Sequence, residues 1–339
     1  MVKLLLAGTG LIGHRHLQHI MDHPSLKLVG IIDPAVSDKE IKGVKTFNSL
    51  DDIRLDADGI VLATPTDTHA SLTIQALEKG MHVLVEKPVA DSLDEADKMI
   101  EASEKTGFKV LVGHHRRHHP LVNETIKIIK SGKIGRPLAA SLMWLMRKQD
   151  EYFEVDWRKG IDGGPVKQNL IHDVDTLRAF FGEVTSVVGT GTNVIRKAPR
   201  HESGGIVLSF ETGVIVTIVF SDATPTPWGF EAGTGESPYI PKTNQSSMFI
   251  AGTEGGLEFP TLRLWNGAQH WNEKPSMTQQ NVSEAIPLIK QLEHYSKTPI
   301  IAIVRSDKRR QEILADFENG LSGWFEPKAS SVEHFNDLL

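Results

Sequence analysis

The first third of the chain alternates short apolar runs with amphipathic stretches. Residues 4–7, 26–32, 59–63, 81–85 and 109–112 carry few polar side chains, as strands buried on both faces of a parallel sheet require. Between them lie segments of helical spacing: 11–12 with 17–21, then 70–79 closed by Gly80, then 93–106, capped by Ser92 or Asp91 and stopped by Gly107. Residues 44–47 add a short strand after the polar stretch that Pro34 opens. Strands alternating with helices in this rhythm imply right-handed crossovers, and such sheets take their ligands at the carboxyl ends of the strands.

From Pro120 the pattern changes. One helix, 121–130, ends at Ser131-Gly132, and strand-like runs follow at 138–146, 184–194, 205–210, 214–220, 247–250 and 257–265, interrupted by one helix over 165–181. This predicts two domains: a Rossmann-type α/β domain with a parallel sheet over 1–120, and an α+β domain with an open, mostly antiparallel sheet over 121–339. Strands 138–146 and 214–220 are apolar on both faces. Helices are therefore expected on one face and a second subunit on the other; the alternative is a second helical layer from the chain's own tail. Residues 221–245, rich in Pro, Gly and Thr, read as a long loop bordering a site or an interface. In the tail, 286–296 and 307–319 read as helices and 300–304 as a strand; 325–339 has no assignment.

The apolar run 4–7 breaks into Gly8-Thr9-Gly10-Leu11-Ile12-Gly13. Gly8 permits the tight turn, Gly10 lets the backbone approach a pyrophosphate, and Gly13 lets the helix pack close to the strand. The helix beginning there aims N–H groups and a positive dipole end at the phosphates. The second strand ends in Asp33, 20 positions after Gly13, where an acid accepts hydrogen bonds from ribose hydroxyls. A flavodoxin-like or merely glycine-capped turn is the alternative. Asp33 would repel a 2′-phosphate, and Pro34-Ala35-Val36-Ser37-Asp38 supply no arginine to hold one, so NAD is expected over NADP.

Composition narrows the function classes. The 339 residues are 40% hydrophobic and 24% charged with a net charge of −6, which gives no electrostatic case for nucleic acid or an anionic membrane. Cysteine is absent, removing disulfides, thiolate catalysis and Cys-ligated zinc, and a cytoplasmic setting is expected. The opening apolar run is too short for a signal peptide, and no stretch approaches the ~20 apolar residues of a membrane helix.

Three strand-end loops gather the candidate chemistry: Thr64-Pro65 to His69, Glu86-Lys87-Pro88, and His114 to His119. With the helix segment Gly163-Gly164-Pro165-Val166-Lys167-Gln168-Asn169-Leu170-Ile171-His172-Asp173-Val174-Asp175, they make the chain resemble the Gfo/Idh/MocA family of nicotinamide-dependent oxidoreductases. The resemblance covers residues 1 to about 265, and Glu-Lys-Pro after a dinucleotide fold is its most specific mark. It implies a sugar, inositol or related polyol or sugar acid as substrate, held between the two domains. The apolar outer face of the second domain's open sheet adds the expectation of a homodimer or homotetramer.

The resemblance also implies site residues. Lys87 corresponds to the active-site lysine, and His172 to the helix-borne general base, a role that suits an imidazole near neutral pH. Gly8, Gly10, Leu11, Ile12, Gly13, Asp33, Thr64, Pro65, His69, Glu86 and Lys87 would face the cofactor; Arg116, Trp157, Arg158, Gln168, Asn169 and His172 would face substrate. Of the pair Arg116-Arg117, one would enter the cleft and the other would pack structurally. No metal is expected, although His114, His115, His118 and His119 have a spacing that invites zinc. His14, His16 and His19 read as surface or phosphate-proximal residues. The family's aspartate four residues before the histidine is Gln168 here; a glutamine can bond a hydroxyl but cannot take its proton, and Asp175 could orient His172 instead. A non-catalytic NAD(P)-binding regulator and an NAD-using glycoside hydrolase are the competing readings.

Overall fold

The computed structural model describes residues 1–282 and 286–297. The strand expected at 300–304, the helix at 307–319 and the stretch 325–339 lie outside the described residues. The chain divides into two compact units. The first is built on Met1–His119 and includes the helix Pro287–Lys297; the second is built on Pro120–Ser283.

The first unit contains strands β1 (Val2–Ala7), β2 (Leu26–Ile32), β3 (Glu40–Ile41), β4 (Val44–Phe47), β5 (Gly59–Leu62), β6 (His82–Val85) and β7 (Val110–Val112), in the order β3-β4-β2-β1-β5-β6-β7. All neighbours pair in parallel except the small hairpin β3–β4. Without β3 this is the doubly wound dinucleotide-binding order, whose direction reverses between β1 and β5. Alternation along the strands divides the core in two. Leu5, Ile60, Leu62, Val83 and Val85 pack under α2 (His69–Glu78) and α3 (Leu93–Thr106), whereas Leu4, Leu6, Val61, Leu84 and Leu111 pack under α1 (Leu11–Asp22) and the 287–297 helix. Leu4, Leu5 and Leu6 are wholly inaccessible, each such side chain contributing roughly 2 kcal/mol of burial. Ser92 caps α3 by accepting from Glu95 N at 3.2 Å, and Gly107 ends it at φ +78°.

The 287–297 helix departs from the expected boundary, which gave all residues after 120 to the second domain. Its Tyr295 hydroxyl accepts from Ile60 N at 3.1 Å and donates to His82 O at 2.7 Å, and Gln291 Nε2 donates to Val112 O at 3.2 Å. Gly59 has no side chain because a Cβ there would meet the Tyr295 hydroxyl. Burial pushes the Tyr295 phenol well above its usual range, so it stays a neutral donor.

The second unit has one eight-stranded sheet: β8 (Pro137–Leu145), β9 (Val184–Thr192), β10 (Ser203–Phe210), β11 (Ile215–Ser221), β12 (Met248–Gly252), β13 (Gly255–Phe259), β14 (Arg263–Asn266) and β15 (Ser276–Gln279), ordered β15-β14-β13-β12-β8-β11-β10-β9. Only β8–β11 is parallel. The single strand expected over 257–265 is two, because Phe259-Pro260 and the left-handed Leu262 (φ +56°) turn the chain into an antiparallel return. Helices α4 (Pro120–Lys130), α5 (Asp156–Lys159) and α6 (Ile171–Phe181) precede β9, and the expected long loop after β11 contains α7 (Phe230–Thr234). Val122, Ile128, Leu170, Val174 and Leu177 cover one sheet face, including Trp144, Phe220, Ile250 and Phe259. No described helix is long and apolar enough to cross a membrane.

A buried hydrogen bond between His16 and Glu86 ties α1 to the sheet. His16, expected at the surface or near the phosphates, is inaccessible, and its Nε2 lies 2.8 Å from Glu86 Oε1 just past β6. Burial raises the Glu86 pKa, but the His16 hydrogen bond and the charges of His16, His115 and Lys87 outweigh it and bring the carboxyl down from 4.5 to about 2. A depressed carboxylate stabilises the fold fully above its unfolded pKa and loses that contribution as pH falls through the folded value. Wild type is therefore expected to lose on the order of 3 kcal/mol more than Glu86→Gln between pH ~5 and ~2, read by urea unfolding at several pH values; parallel profiles would contradict the assignment.

Candidate functional site

In the first unit, the sheet reversal brings β1 and β5 together at glycine. Gly8 leaves β1 at φ +85°, and a Cβ there would run into Ala63 O, just past β5; one on Gly13 would run into Gly8 O. Both glycines are thus required by the protein's own backbone. Gly10 is different: a Cβ there would meet nothing within 4 Å. Its openness fits a group that approaches from outside the protein. Gly10 is also the N-cap of α1, with no capping side chain and no acid in the first turn, so the helix end is left to an anion. A pyrophosphate fits this cradle of Gly8, Gly10, Leu11, Ile12 and Gly13.

Asp33 stands after β2, bound into that cradle. Its Oδ2 accepts from Thr9 N at 2.8 Å and Thr9 Oγ1 at 2.5 Å, and its Oδ1 accepts from Ala35 N at 3.0 Å. Burial alone would raise its pKa, but the bonds from Thr9 and Ala35 hold it below the ordinary value. The acid is ionised and oriented by the loop it would serve.

The other strand ends in this unit are joined by His69. Its Nδ1 is 2.9 Å from Pro88 O and its Nε2 2.9 Å from Thr64 O, and the ring is buried. The predicted cofactor contact is therefore a staple, linking the Thr64-Pro65 loop after β5 to the Glu86-Lys87-Pro88 loop after β6. Thr68 Oγ1 reinforces the first loop through Thr64 Oγ1 and Pro65 O, each at 2.7 Å. Glu86, also predicted at the cofactor, turns inward to His16, and Lys87 N donates to Glu86 Oε2 at 3.2 Å. Lys87 is half-buried; Arg116 is buried and Arg117 half-buried.

In the second unit the predicted helix over 165–181 is two kinds of helix. Val166–Leu170 form a π-helical turn, and α6 continues from Ile171. A π turn carries an extra residue per turn and commonly marks functional segments. Gln168 and Asn169 lie on this turn, and His172, buried, is the second residue of the regular helix. Asn169 Oδ1 accepts from Lys148 Nζ at 2.8 Å. Asp173 and Asp175 are buried on α6. Half-exposed Trp157 is followed by Arg158, whose guanidinium lies 4.2 Å from the Tyr152 ring and 5.5 Å from the Trp157 ring while Nη1 donates to Tyr152 O at 3.1 Å.

Sequence reasoning missed a buried charge cluster here. Asp222, following β11, receives Arg196 Nε on Oδ1 at 2.8 Å and Arg200 Nη1 on Oδ2 at 2.7 Å, and is wholly buried. Glu202 takes Ile195 N at 2.7 Å and Arg196 N at 2.5 Å. The only trace in the sequence is a basic pair four residues apart in an irregular stretch, and nothing local identifies Asp222 as its partner.

Residues 2–114 match the oxidoreductase family with an NAD-binding Rossmann fold, and residues 122–258 match the GFO/IDH/MocA C-terminal domain. An uncharacterized oxidoreductase of Bacillus subtilis, YrbE, is 29% identical over 230 residues, covering 63% of this chain and 65% of the relative, so the match spans about two thirds of that protein's length. An inositol 2-dehydrogenase of Rubrobacter xylanophilus is 31% identical over 277 residues, covering 76% of this chain and 71% of the relative. Among solved structures, an oxidoreductase from Desulfitobacterium hafniense shares the fold with a TM-score of 0.81 at 19% identity, covering 95% of both chains. The dinucleotide cradle, the mixed sheet and these similarities lead to one conclusion: the chain belongs to the Gfo/Idh/MocA family of NAD-binding oxidoreductases.

Proposed function

We propose that the protein is an NAD-dependent dehydrogenase acting on a secondary alcohol of a sugar, inositol or related polyol or sugar acid. The observation that carries this reading is a complete nucleotide cradle with Lys87 following β6 of the same sheet. Similarity to an inositol 2-dehydrogenase supports the polyol class. When bound, NAD supplies the acceptor for the hydride leaving the alcohol carbon. His172 takes the hydroxyl proton, and the Lys87 ammonium stabilises the negative charge that develops on that oxygen. Gln168 donates or accepts a hydrogen bond at a hydroxyl without exchanging its proton. His69 holds the loop that bears Lys87 in register with the Thr64 loop.

The NAD preference rests on Asp33. Its ionised carboxylate is fixed by Thr9 and Ala35, and a 2′-phosphate beside it would suffer like-charge repulsion. The oligomer reading rests on the second unit's other sheet face, where Val207, Ile215, Val219 and Phe249 are all exposed. These exposed apolar side chains, set around the hydrogen-bonded pair Ser141 and Thr217, fit a second copy of this chain.

Three measurements test these readings. In a panel of polyols and sugar acids with NAD, followed by NADH absorbance, Lys87→Ala and His172→Ala are each expected to lower kcat by about 10²-fold or more. Unchanged turnover in both variants removes them from the chemistry. Titrations should give NAD a Kd at least about tenfold below that of NADP, a gap of ~1.4 kcal/mol that Asp33→Ala narrows; equal or tighter NADP binding contradicts the preference. Light scattering should show a dimer or tetramer in wild type and a monomer in Val219→Glu/Phe249→Glu, whereas a monomeric wild type refutes the interface.

A further inference from the structure

The carboxylate at the end of β2 has less to offer a ribose than its position suggests. A carboxylate carries about four acceptor sites, shared between its oxygens. Asp33 Oδ2 already takes two donors from one residue, Thr9 N at 2.8 Å and Thr9 Oγ1 at 2.5 Å, and Oδ1 takes Ala35 N at 3.0 Å. One acceptor site is left, on Oδ1. A ribose edge presents a pair of neighbouring hydroxyls, so Asp33 by itself satisfies only one of them.

A second acceptor stands beside it. Thr9 Oγ1 spends its single proton on Asp33, and no donor among the described residues reaches that oxygen in return. A hydroxyl that donates still keeps its acceptor lone pairs, and donation to an anion polarises the oxygen into a stronger acceptor. Thr9 and Asp33 are both half-buried, just past the adjacent strands β1 and β2, and Gly10 next to Thr9 is exposed. The pair therefore lies at the surface beside the pyrophosphate cradle. Donors are spent on the same rim. Pro34 has no N–H, Ala35 N is taken by Asp33 Oδ1, and Val36 N lies 3.3 Å from Asp33 O. With both Thr9 protons aimed at Asp33, Thr9 and residues 33–36 offer a ligand acceptors and no unspent donor.

We propose that Thr9 is a cofactor-binding residue and that recognition of the adenosine ribose is divided, one hydroxyl donating to Asp33 Oδ1 and its neighbour to Thr9 Oγ1. This rests on the reading of Asp33 as the acid that meets the ribose of NAD, and it deepens that reading. Selectivity then comes from a rim of acceptors that Thr9 helps to build, as well as from charge. A ribose diol has protons to give such a rim, whereas a 2′-phosphate brings further acceptor oxygens and further negative charge.

The test is calorimetric titration of the full chain, without substrate, using NAD, NAD lacking the 2′- or the 3′-hydroxyl of its adenosine ribose, and NADP. Each deoxy analogue should bind the wild type about tenfold more weakly than NAD, because each leaves one acceptor unpaired. Thr9→Val puts a methyl where the hydroxyl was, covering Asp33 Oδ2 without accepting a bond. It should weaken NAD about tenfold, while Thr9→Ser, which keeps the oxygen, should stay within about threefold of wild type. The decisive comparison is the two analogues on Thr9→Val. One should now bind as tightly as NAD, since its missing hydroxyl no longer has a partner, and the other should remain weaker. Either analogue matching NAD on the wild type overturns the divided contact, and that arm needs no variant. Thr9→Val binding NAD like wild type, Thr9→Ser losing as much as Thr9→Val, or both analogues staying weaker than NAD on Thr9→Val also overturns it. NADP binding as tightly as NAD, with the one-analogue result intact, supports the divided contact and refutes the NAD preference. Binding of neither dinucleotide refutes both.

Discussion

The nucleotide-binding unit depends on a close passage of main chain, where the loop leaving β1 crosses the end of β5 with no room for a side chain at Gly8 or Gly13. That contact fixes the start of α1 against the sheet and so fixes where its free N–H groups point. It also sets Thr9 beside Asp33, making the acid's orientation a by-product of the glycine turn. Gly10, needed by no neighbour in the protein, is the position left for a ligand. Around this point the buried pairs follow in order: His16 with Glu86 secures α1 to the next loop, and His69 joins that loop to the one after β5. Lys87 inherits its position from both.

The second unit solves a different problem. Its central strands β8 and β11 carry apolar residues on both faces, and α4 and α6 cover only one. The same sheet ends in a knot of charges in which Asp222 is paired with Arg196 and Arg200. Buried carboxylates between arginines would be a poor stability device by themselves, since desolvation offsets much of the attraction. Their value is positional. Asp222 holds Arg196 and Arg200 in orientations that neither long side chain would keep alone.

Much of the architecture was legible because the signals are local. Continuous apolar runs named the parallel strands, the spacing of Gly8, Gly10 and Gly13 named the turn, and Asp33 followed from its distance along the chain. The less legible features share one cause. His16 and Glu86 are 70 residues apart, and Tyr295 and Ile60 235 apart; no pattern in one segment announces a partner in another. The strand expected over 257–265 erred for a local reason, since apolar continuity concealed the return at Pro260. The helix over 165–181 was right in extent and wrong in pitch, because side-chain spacing does not distinguish a single π turn from an α turn.

The sequence by itself determined the element types, the two-part organisation and the glycine turn of the dinucleotide cradle, all set by periodicity and short-range spacing, whereas Lys87 and His172 are singled out only through resemblance to the family. Tertiary structure alone decided which face of α1 hides His16, which unit the 287–297 helix joins, and which acid neutralises Arg196 and Arg200. Those outcomes depend on burial, since a charge or hydroxyl removed from water must find its partner wherever packing brings one, at any distance along the chain.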